Sequence, residues 1–326
     1  MSVCLILVLQ LIIFALFAYH VLPRQHKEIP VKGNDTTHPA PRELTLPSIA
    51  WNEAEHYLAE QYPDHYVDDL KQSIVNGTLI NTKGHFSVFL KDLETGAWLG
   101  INENDTYKPW SLLKISIVAT LLKKVERRQL SLHQTISLTP AEVQSEISLS
   151  QECNIRNNEM PMRELINRII GLSDDTASAV LGRCIKGEEF QECLQATGLP
   201  TALPNEPRNY LPNVSPKQFA SLLKSLYYSS YLQPPFSDLI LSLMSDTATL
   251  YDSQIKAGLP SAIKLVHKVG FNAGCGDFHD CGIVYAPLPH KPYVLCVMST
   301  GSTREEADRV ISSISRQVYN FLVNRK

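Results

Sequence analysis

The order of strand and helix patterns along residues 48–326 is the feature that most restricts the fold of this chain. Strand patterns occupy both ends of this region, at 85–93, 97–101, 263–269, 282–287 and 292–299. Helical spacing dominates between the two groups, and a final amphipathic helix is predicted from about Thr303 to Asn324. A sheet built from both ends of the region, with a helical block inserted between them, is the α+β solution.

An apolar segment and a linker precede this region. The run from Val3 to Leu22 is almost entirely apolar and has about 20 residues, the length of a membrane-spanning helix. A cleaved signal peptide is the alternative, but its apolar part is normally shorter, and no small-x-small cleavage site precedes Pro23. The chain therefore divides into three predicted segments: a transmembrane anchor or signal over 1–22, a proline-rich linker over 23–47 and a folded domain over 48–326.

Charge and cysteine content argue against two classes of function. The chain has 30 Lys and Arg against 33 Asp and Glu, so its formal charge of -3 provides no basic field for nucleic acid. Its seven cysteines include no Cys-x-x-Cys pair and offer no zinc-ligand spacing. We therefore expect no nucleic-acid partner, no metal and no cofactor.

Ser111 and Lys114 form a Ser-x-x-Lys pair at the beginning of a strongly apolar helix. A serine hydroxyl needs a base at neutral pH, and a lysine three residues later on a helix lies within reach of it. The N-terminal end of the helix would also stabilise an oxyanion. The same spacing recurs at Ser221/Lys224, Ser253/Lys256 and Ser261/Lys264, so spacing alone does not identify a site. A serine that merely caps a buried helix is the alternative.

Two further motifs follow in order along the chain. Gly171-Leu-Ser173-Asp174-Asp175 lies in the helical region, and Lys268-Val269-Gly270 lies on a late strand. With the Ser-x-x-Lys pair, this ordered set resembles the penicillin-recognising serine hydrolases, and the spacing is most similar to the class A β-lactamases. The resemblance covers roughly residues 48–326. It implies an antiparallel sheet of about five strands, flanked by terminal helices, with an inserted all-helical subdomain.

The resemblance also implies a role for each matching residue. Ser111 would attack a carbonyl and become acylated, with Lys114 taking its proton directly or through water. Ser173 would relay a proton to the leaving amine with the help of Lys268, whose charge also attracts an anionic substrate. The backbone N–H groups of Ser111 and Phe271 would hold the oxyanion. Contacts with the substrate are expected at Asp175, Gly270 and Phe271.

Three positions depart from the pattern of the family. Asp175 stands in place of an Asn and cannot donate an amide hydrogen bond. Val269 stands in place of a hydroxyl residue, which removes a hydrogen bond to a substrate carboxylate. Glu206 precedes a proline near the place of the deacylating glutamate, although the Asn expected four residues later is Tyr210. Glu206 is therefore either the deacylating base or a solvated loop carboxylate.

Cysteine spacing bears on the compartment. Cys275 and Cys281 bracket a predicted turn, and Cys184 and Cys193 flank a helix junction, so two disulfide bonds are predicted. Cys296 lies in an apolar strand and is predicted to be a free, buried thiol. Disulfide bonds are typical of an oxidising compartment. We therefore expect an extracytoplasmic domain, although the basic residues that follow the apolar segment would alone favour an external N-terminus.

The resemblance implies an acyl-serine hydrolase that opens β-lactam rings or cleaves related cell-wall peptide amides. The alternative is a D,D-peptidase-like protein, or a catalytically impaired protein that binds peptidoglycan. The predicted substrate is a β-lactam or a peptidoglycan stem peptide. The predicted location is the cell membrane, with a single span, or outside the cell if the N-terminal segment is cleaved.

Overall fold

The computed structural model describes residues 64–143, 158–201, 212–246, 254–287 and 292–323. All of them lie in the larger of two units of the chain, residues 53–326. The predicted anchor, the predicted linker and Glu206 lie outside the described residues. The predicted domain boundary at residue 48 also lies outside them and stays a prediction.

A five-stranded antiparallel sheet forms the centre of the fold. The strands of the described residues are β1 (His85–Asp92), β2 (Trp98–Ile101), β3 (Thr135–Ser137), β4 (Glu159–Pro161), β5 (Lys264–Asn272), β6 (Asp277–Tyr285) and β7 (Tyr293–Thr300). The order in the main sheet is β2-β1-β7-β6-β5, and β3 pairs with β4 separately. The first and the last strand of the described residues, β1 and β7, are therefore neighbours.

Helices occupy the middle of the chain and both ends of the described domain. They are α1 (Asp64–Ile74), α2 (Lys114–Glu126), α3 (Pro140–Val143), α4 (Met162–Asn167), α5 (Asp175–Gly182), α6 (Gly187–Ala196), α7 (Pro216–Tyr227), α8 (Pro234–Asp246) and α9 (Arg304–Val323). The start of α7 shows how local sequence sets such a boundary. The Ser215 hydroxyl accepts a hydrogen bond from the Gln218 N–H, the Gln218 side chain accepts one from the Ser215 N–H, and Pro216 occupies the first turn.

The sheet separates two hydrophobic clusters, so the domain has three layers. On β7, Val294, Cys296 and Met298 pack against the helical block. The residues between them on β7, such as Leu295, face the other side of the sheet and pack with residues of α1 and α9. Because β7 is buried on both faces, its sequence is continuously apolar rather than alternating. The predicted α+β architecture is confirmed.

The beginning of β6 differs from the prediction. The strand begins at Asp277 rather than near residue 282, and the sequence Phe-His-Asp belongs to the strand, not to a turn. His279 and Asp280 are fully buried, and both are hydrogen-bonded, to the Lys108 carbonyl and to the Ile255 N–H respectively. These internal partners stabilise two polar residues inside the strand. The hydrophilicity of the same residues had favoured a turn.

The two predicted disulfide bonds are wrong, since Cys184, Cys193, Cys275 and Cys281 are all free thiols. Cys281 lies well inside β6, opposite Cys296 of β7, whereas Cys275 lies exposed before β6 begins. Cys193 is buried in α6 and contacts the Ser116 carbonyl instead of Cys184. Cys296 is free and buried, as predicted.

The helices of the described ranges include none that is long and apolar enough to span a bilayer.

Candidate active site

Ser111 lies in a single 3-10 turn, Trp110–Leu113, that leads directly into α2. In a 3-10 turn the side chains at positions i and i+3 are eclipsed, so Ser111 and Lys114 project from the same side. The first turns of α2 are buried in the core, which anchors this segment, and Ser111 remains partly exposed. The structure thus presents the serine at the surface of a rigid element.

Strand β5 passes close to this turn at Gly270. A β-carbon on residue 270 would lie 2.6 Å from the carbonyl oxygen of Pro109 and 2.9 Å from Cγ of Leu112. Only glycine allows this approach of the two backbones. Because residues alternate along a strand, Lys268 lies on the same face of β5 as Gly270, towards the helical block. His267 lies on the opposite face, where its Nδ1 is 2.8 Å from the Asp280 carboxylate.

Three distant segments of the chain meet at the hydroxyl of Ser173. Lys268 Nζ donates a hydrogen bond to Ser173 Oγ at 2.8 Å, and Lys114 Nζ donates to the same oxygen at 3.3 Å. Lys114 also donates to the Ser173 carbonyl and to Asp175 Oδ1, the latter at 2.5 Å. The structure therefore brings four predicted residues together: Lys114, Ser173, Asp175 and Lys268. Lys114 follows the Ser111 turn at the start of α2, Ser173 lies just before α5 and Asp175 at its start, and Lys268 lies on β5.

A buried ion pair holds Ser173 in position. Ser173 has a left-handed conformation, with φ at 57°, between a π-turn over Arg168–Leu172 and the start of α5. Next to it, Asp174 Oδ1 accepts the N–H of Ala177 at 2.9 Å and so caps α5. Asp174 Oδ2 accepts a hydrogen bond from Arg168 Nε at 2.8 Å. Both side chains are buried, so the pair fixes a backbone conformation that serine rarely adopts.

The charges around Lys268 are unusual for a lysine. Burial lowers the pKa of its ammonium to about 7, and the positive charge of Lys114 acts in the same direction. The carboxylates of Asp280 and Asp175 oppose this effect. At neutral pH the Lys268 amine is thus able both to accept and to donate a proton.

Three other residues singled out in the sequence remain to be placed. Val269 and Phe271 lie on β5 beside Gly270, and Glu206 lies outside the described residues. Phe271 follows Gly270 on β5, and its ring is 40% exposed and lies under the Arg304 guanidinium, 4.7 Å away. Since β5 is an edge strand, alternate backbone N–H groups point away from β6, and their use as an oxyanion hole stays a prediction. Val269 is buried and carries no hydroxyl, and Glu206 is not among the described residues.

One contact at the site was not predicted from the sequence. Trp110 Nε1 donates a hydrogen bond to Asp277 Oδ2 at 2.9 Å, and Asp277 Oδ1 accepts one from Thr300 Oγ1 at 2.6 Å. Trp110 itself has a left-handed conformation, with φ at 48°. This side-chain network ties the residue before Ser111 to β6 and β7, and no local pattern in the sequence indicates it.

Most of the chain is similar to known proteins. Residues 69–322 match the family model described as the beta-lactamase enzyme family. Beta-lactamase VEB-1 of Pseudomonas aeruginosa is 22% identical over 245 residues, which are 70% of this chain and 82% of VEB-1.

Solved structures share the fold. A β-lactamase from Xanthomonas campestris superposes with a TM-score of 0.69 at 21% identity, covering 78% of this chain and 98% of that one. PBP-A superposes with a TM-score of 0.67 at 22% identity, covering 77% and 95%.

Proposed function

Because the chain belongs to the beta-lactamase enzyme family, we propose that it forms an acyl-enzyme on Ser111 when it opens a β-lactam or cleaves a related cell-wall peptide amide. The resemblance to class A β-lactamases seen in the ordered motifs is confirmed, and the chain is a serine hydrolase that resembles these enzymes. Ser111 as the nucleophile is supported by the contact of both lysines with one hydroxyl, Ser173 Oγ, because both lysines lie on segments that adjoin the Ser111 turn. Lys114 follows the turn directly, and Gly270, two residues after Lys268, packs against Pro109 at the start of the turn.

The groups at the site match the steps of amide cleavage. Attack by a serine oxygen requires a group that takes the hydroxyl proton, and expulsion of the amine requires a group that returns a proton to nitrogen. The Ser173 hydroxyl is hydrogen-bonded to the amine of Lys268, whose pKa is about 7. Ser173 is therefore suited to deliver the second proton. The charge of Lys114 and the partial charge of Lys268 favour a substrate that bears a carboxylate.

A fluorescent penicillin and a chromogenic cephalosporin test this proposal on the full chain in detergent. We expect covalent labelling of the wild type that is lost in Ser111→Ala. Ser221→Ala is the matched control, because Ser221 and Lys224 have the same spacing on α7 but lie apart from the two other motifs. Labelling of Ser111→Ala at the wild-type level, or no labelling of a folded wild type, would rule out the acyl-enzyme on Ser111.

A second candidate function is a slow or non-hydrolytic relative of the D,D-peptidases. It is supported by Asp175 and Val269, which stand where the family has a donor and a hydroxyl, and by the fold shared with PBP-A. The same two reagents separate the candidates. Fast turnover of the cephalosporin indicates a β-lactamase, whereas stable labelling of Ser111 without turnover indicates peptidase-like behaviour.

We further propose that residues 1–22 anchor the protein in the cell membrane and that the hydrolase domain is extracytoplasmic. The length and apolarity of the segment support the anchor, and the extracytoplasmic location of the cell wall and its amides supports the orientation. Since the described cysteines are free, the predicted disulfide bonds no longer support this location. Cell fractionation should find the full chain in the membrane and a chain that lacks residues 1–47 in the soluble fraction. Recovery of both chains in the soluble fraction would contradict the anchor.

A further inference from the structure

We propose that Lys268, acting through the Ser173 hydroxyl, takes the proton of Ser111, and that Lys114 remains a fixed cation bound to Asp175. This inference rests on the proposed function, because it assumes that Ser111 is the nucleophile. It differs from the role that the resemblance implies, in which Lys114 is the base. The two lysines contact the same hydroxyl, so the question is which of them has a free lone pair.

The contacts of Lys114 use all the donors of an ammonium group. A lysine ammonium has three N–H donors and no acceptor. Lys114 donates to Asp175 Oδ1, to the Ser173 carbonyl and to Ser173 Oγ. A neutral Lys114 has only two N–H donors, so it could keep its contact with Ser173 Oγ only by accepting a hydrogen bond from that hydroxyl instead of donating one. It would also leave the Asp175 carboxylate without its cation.

The exposure of the two partners explains why this ion pair is stable. The Lys114 side chain is 7% exposed, whereas the Asp175 side chain is 73% exposed. A buried ammonium needs a counter-charge, and a solvated carboxylate supplies one at little cost of desolvation. An asparagine at position 175 would provide a hydrogen-bond acceptor but no charge. Asp175 is therefore a positioning residue that keeps Lys114 charged.

Lys268 has a different environment. Its side chain contacts Ser173 Oγ at 2.8 Å and the Val269 carbonyl at 3.4 Å, and among the described residues no carboxylate lies within salt-bridge distance of its ammonium. The charged groups that act on it are Lys114 from α2 and Asp175 from α5, together with Asp280 of β6 on the opposite face of the sheet. Burial and the Lys114 charge lower the pKa of Lys268 to about 7, so much of it carries a lone pair at neutral pH.

The proton transfers balance without an external base. As Ser111 Oγ bonds to the carbonyl carbon, its proton moves to Ser173 Oγ, the proton of Ser173 moves to Lys268 Nζ, and the carbonyl π pair moves to oxygen. When the tetrahedral adduct collapses, the carbon–nitrogen bond breaks and the proton returns from Lys268 through Ser173 to the leaving nitrogen. Lys268 begins and ends this acylation neutral, and Lys114 is charged throughout.

Two arginine variants distinguish the lysines, because arginine stays charged at every pH of the experiment and cannot act as a base. The rate of labelling by fluorescent penicillin is measured for the full chain from about pH 5 to about pH 9. We expect the wild-type rate to rise through a pH of about 7. We expect Lys114→Arg to keep this rise and to lose no more than about tenfold in rate, and Lys268→Arg to lose the rise and about 100-fold or more.

The opposite pattern, with the rise kept in Lys268→Arg and the rate lost in Lys114→Arg, would overturn the proposal. Lysine ¹³Cε NMR of the unmodified protein provides a measurement that depends on no variant. It should show one lysine that titrates near neutrality, and a spectrum in which no lysine titrates below about pH 9 would also overturn it. Failure of the proposed function has another signature, because the folded wild type would then not be labelled at any pH.

Discussion

Gly270 lies directly against the carbonyl oxygen of Pro109, so that the edge strand of the sheet touches the turn that contains Ser111. The contact joins residues 161 positions apart in the sequence. It sets the distance between the nucleophile segment and the strand that carries Lys268. Reaction rates in a preorganised site are sensitive to such distances.

Gly270→Ala should therefore reduce both stability and acylation. The added methyl group meets backbone atoms that have no room to move, and we expect a loss of about 1–3 kcal/mol in the free energy of unfolding. The rate of penicillin labelling should fall by about tenfold or more, because the strand or the turn must shift. Gly182→Ala in α5 is the control, since a β-carbon at that position would have nothing within 4 Å of it. The free energy of unfolding is measured in urea, and the labelling rate with fluorescent penicillin. Equal values of both for the two variants would contradict the packing argument.

The Trp110–Asp277 hydrogen bond should stabilise the Ser111 turn. Trp110→Phe keeps the aromatic ring but removes the donor, and Asp277 is then left with Thr300 as its side-chain partner. Loss of a hydrogen bond to a buried carboxylate costs about 1–3 kcal/mol. Trp98→Phe is the control, because Trp98 is exposed at the edge of the sheet. Thermal unfolding should show the larger decrease in Tm for Trp110→Phe.

Lys268 should make stability depend on pH. Its pKa in the folded protein is about 7, below the ordinary 10.5 of an unfolded lysine. Between these values the unfolded chain binds a proton that the folded chain does not, so the free energy of unfolding rises with pH in this window. Relative to Lys268→Met, the wild type should gain up to about 1.4 kcal/mol per pH unit between about pH 7.5 and about pH 10. A difference between the two proteins that is independent of pH in this window would show that the pKa of Lys268 is not lowered in the folded protein, and would contradict the prediction.

The Arg168–Asp174 pair should be among the most sensitive polar contacts. Asp174→Ala leaves a buried guanidinium without its carboxylate and removes the cap of α5, and we expect a loss of about 3–5 kcal/mol. Asp174→Asn keeps an acceptor for the Ala177 N–H and should lose less. In contrast, Glu192→Ala breaks an exposed pair with Arg127 and should cost at most about 1 kcal/mol. Chemical denaturation of the three variants gives this order or refutes it.

The described thiols should differ strongly in reactivity. Cys275 is exposed and should be alkylated first in the native protein. Cys193, Cys281 and Cys296 are buried, and burial raises the pKa of Cys193 to about 11 and that of Cys281 well above its usual value. Mass spectrometry after timed alkylation should find these three modified only on unfolding. A bond between Cys275 and Cys281 in the unreduced protein would contradict the assignment of both as free thiols.

The architecture was predictable because its elements have strong periodicity. The apolar runs of β5 and β7 and the amphipathic pattern of α9 gave nearly correct boundaries. The start of β6 was missed because the buried partners of His279 and Asp280 come from distant parts of the chain. Hydropathy alone cannot anticipate such partners.

The site was predictable only as far as its motifs extend. Ordered spacing identified Ser111, Lys114, Ser173 and Lys268 as a set, but not which lysine is paired with a carboxylate. That depends on the 2.5 Å contact between Lys114 and Asp175, which only the folded chain creates. The Trp110–Asp277 bond, between residues 167 positions apart, likewise has no local signature.

The pairing of β1 with β7 has a consequence for biosynthesis. β1 is translated before the helical block, β5 and β6, and β7 follows all of them, so β1 must wait for its central partner until these segments have been made. Contacts of such long separation are slow to form and expose the unpaired strand in the meantime. A message cut short before β7 would yield a chain without the strand that joins the two halves of the sheet, and such a product would depend on chaperones or be degraded.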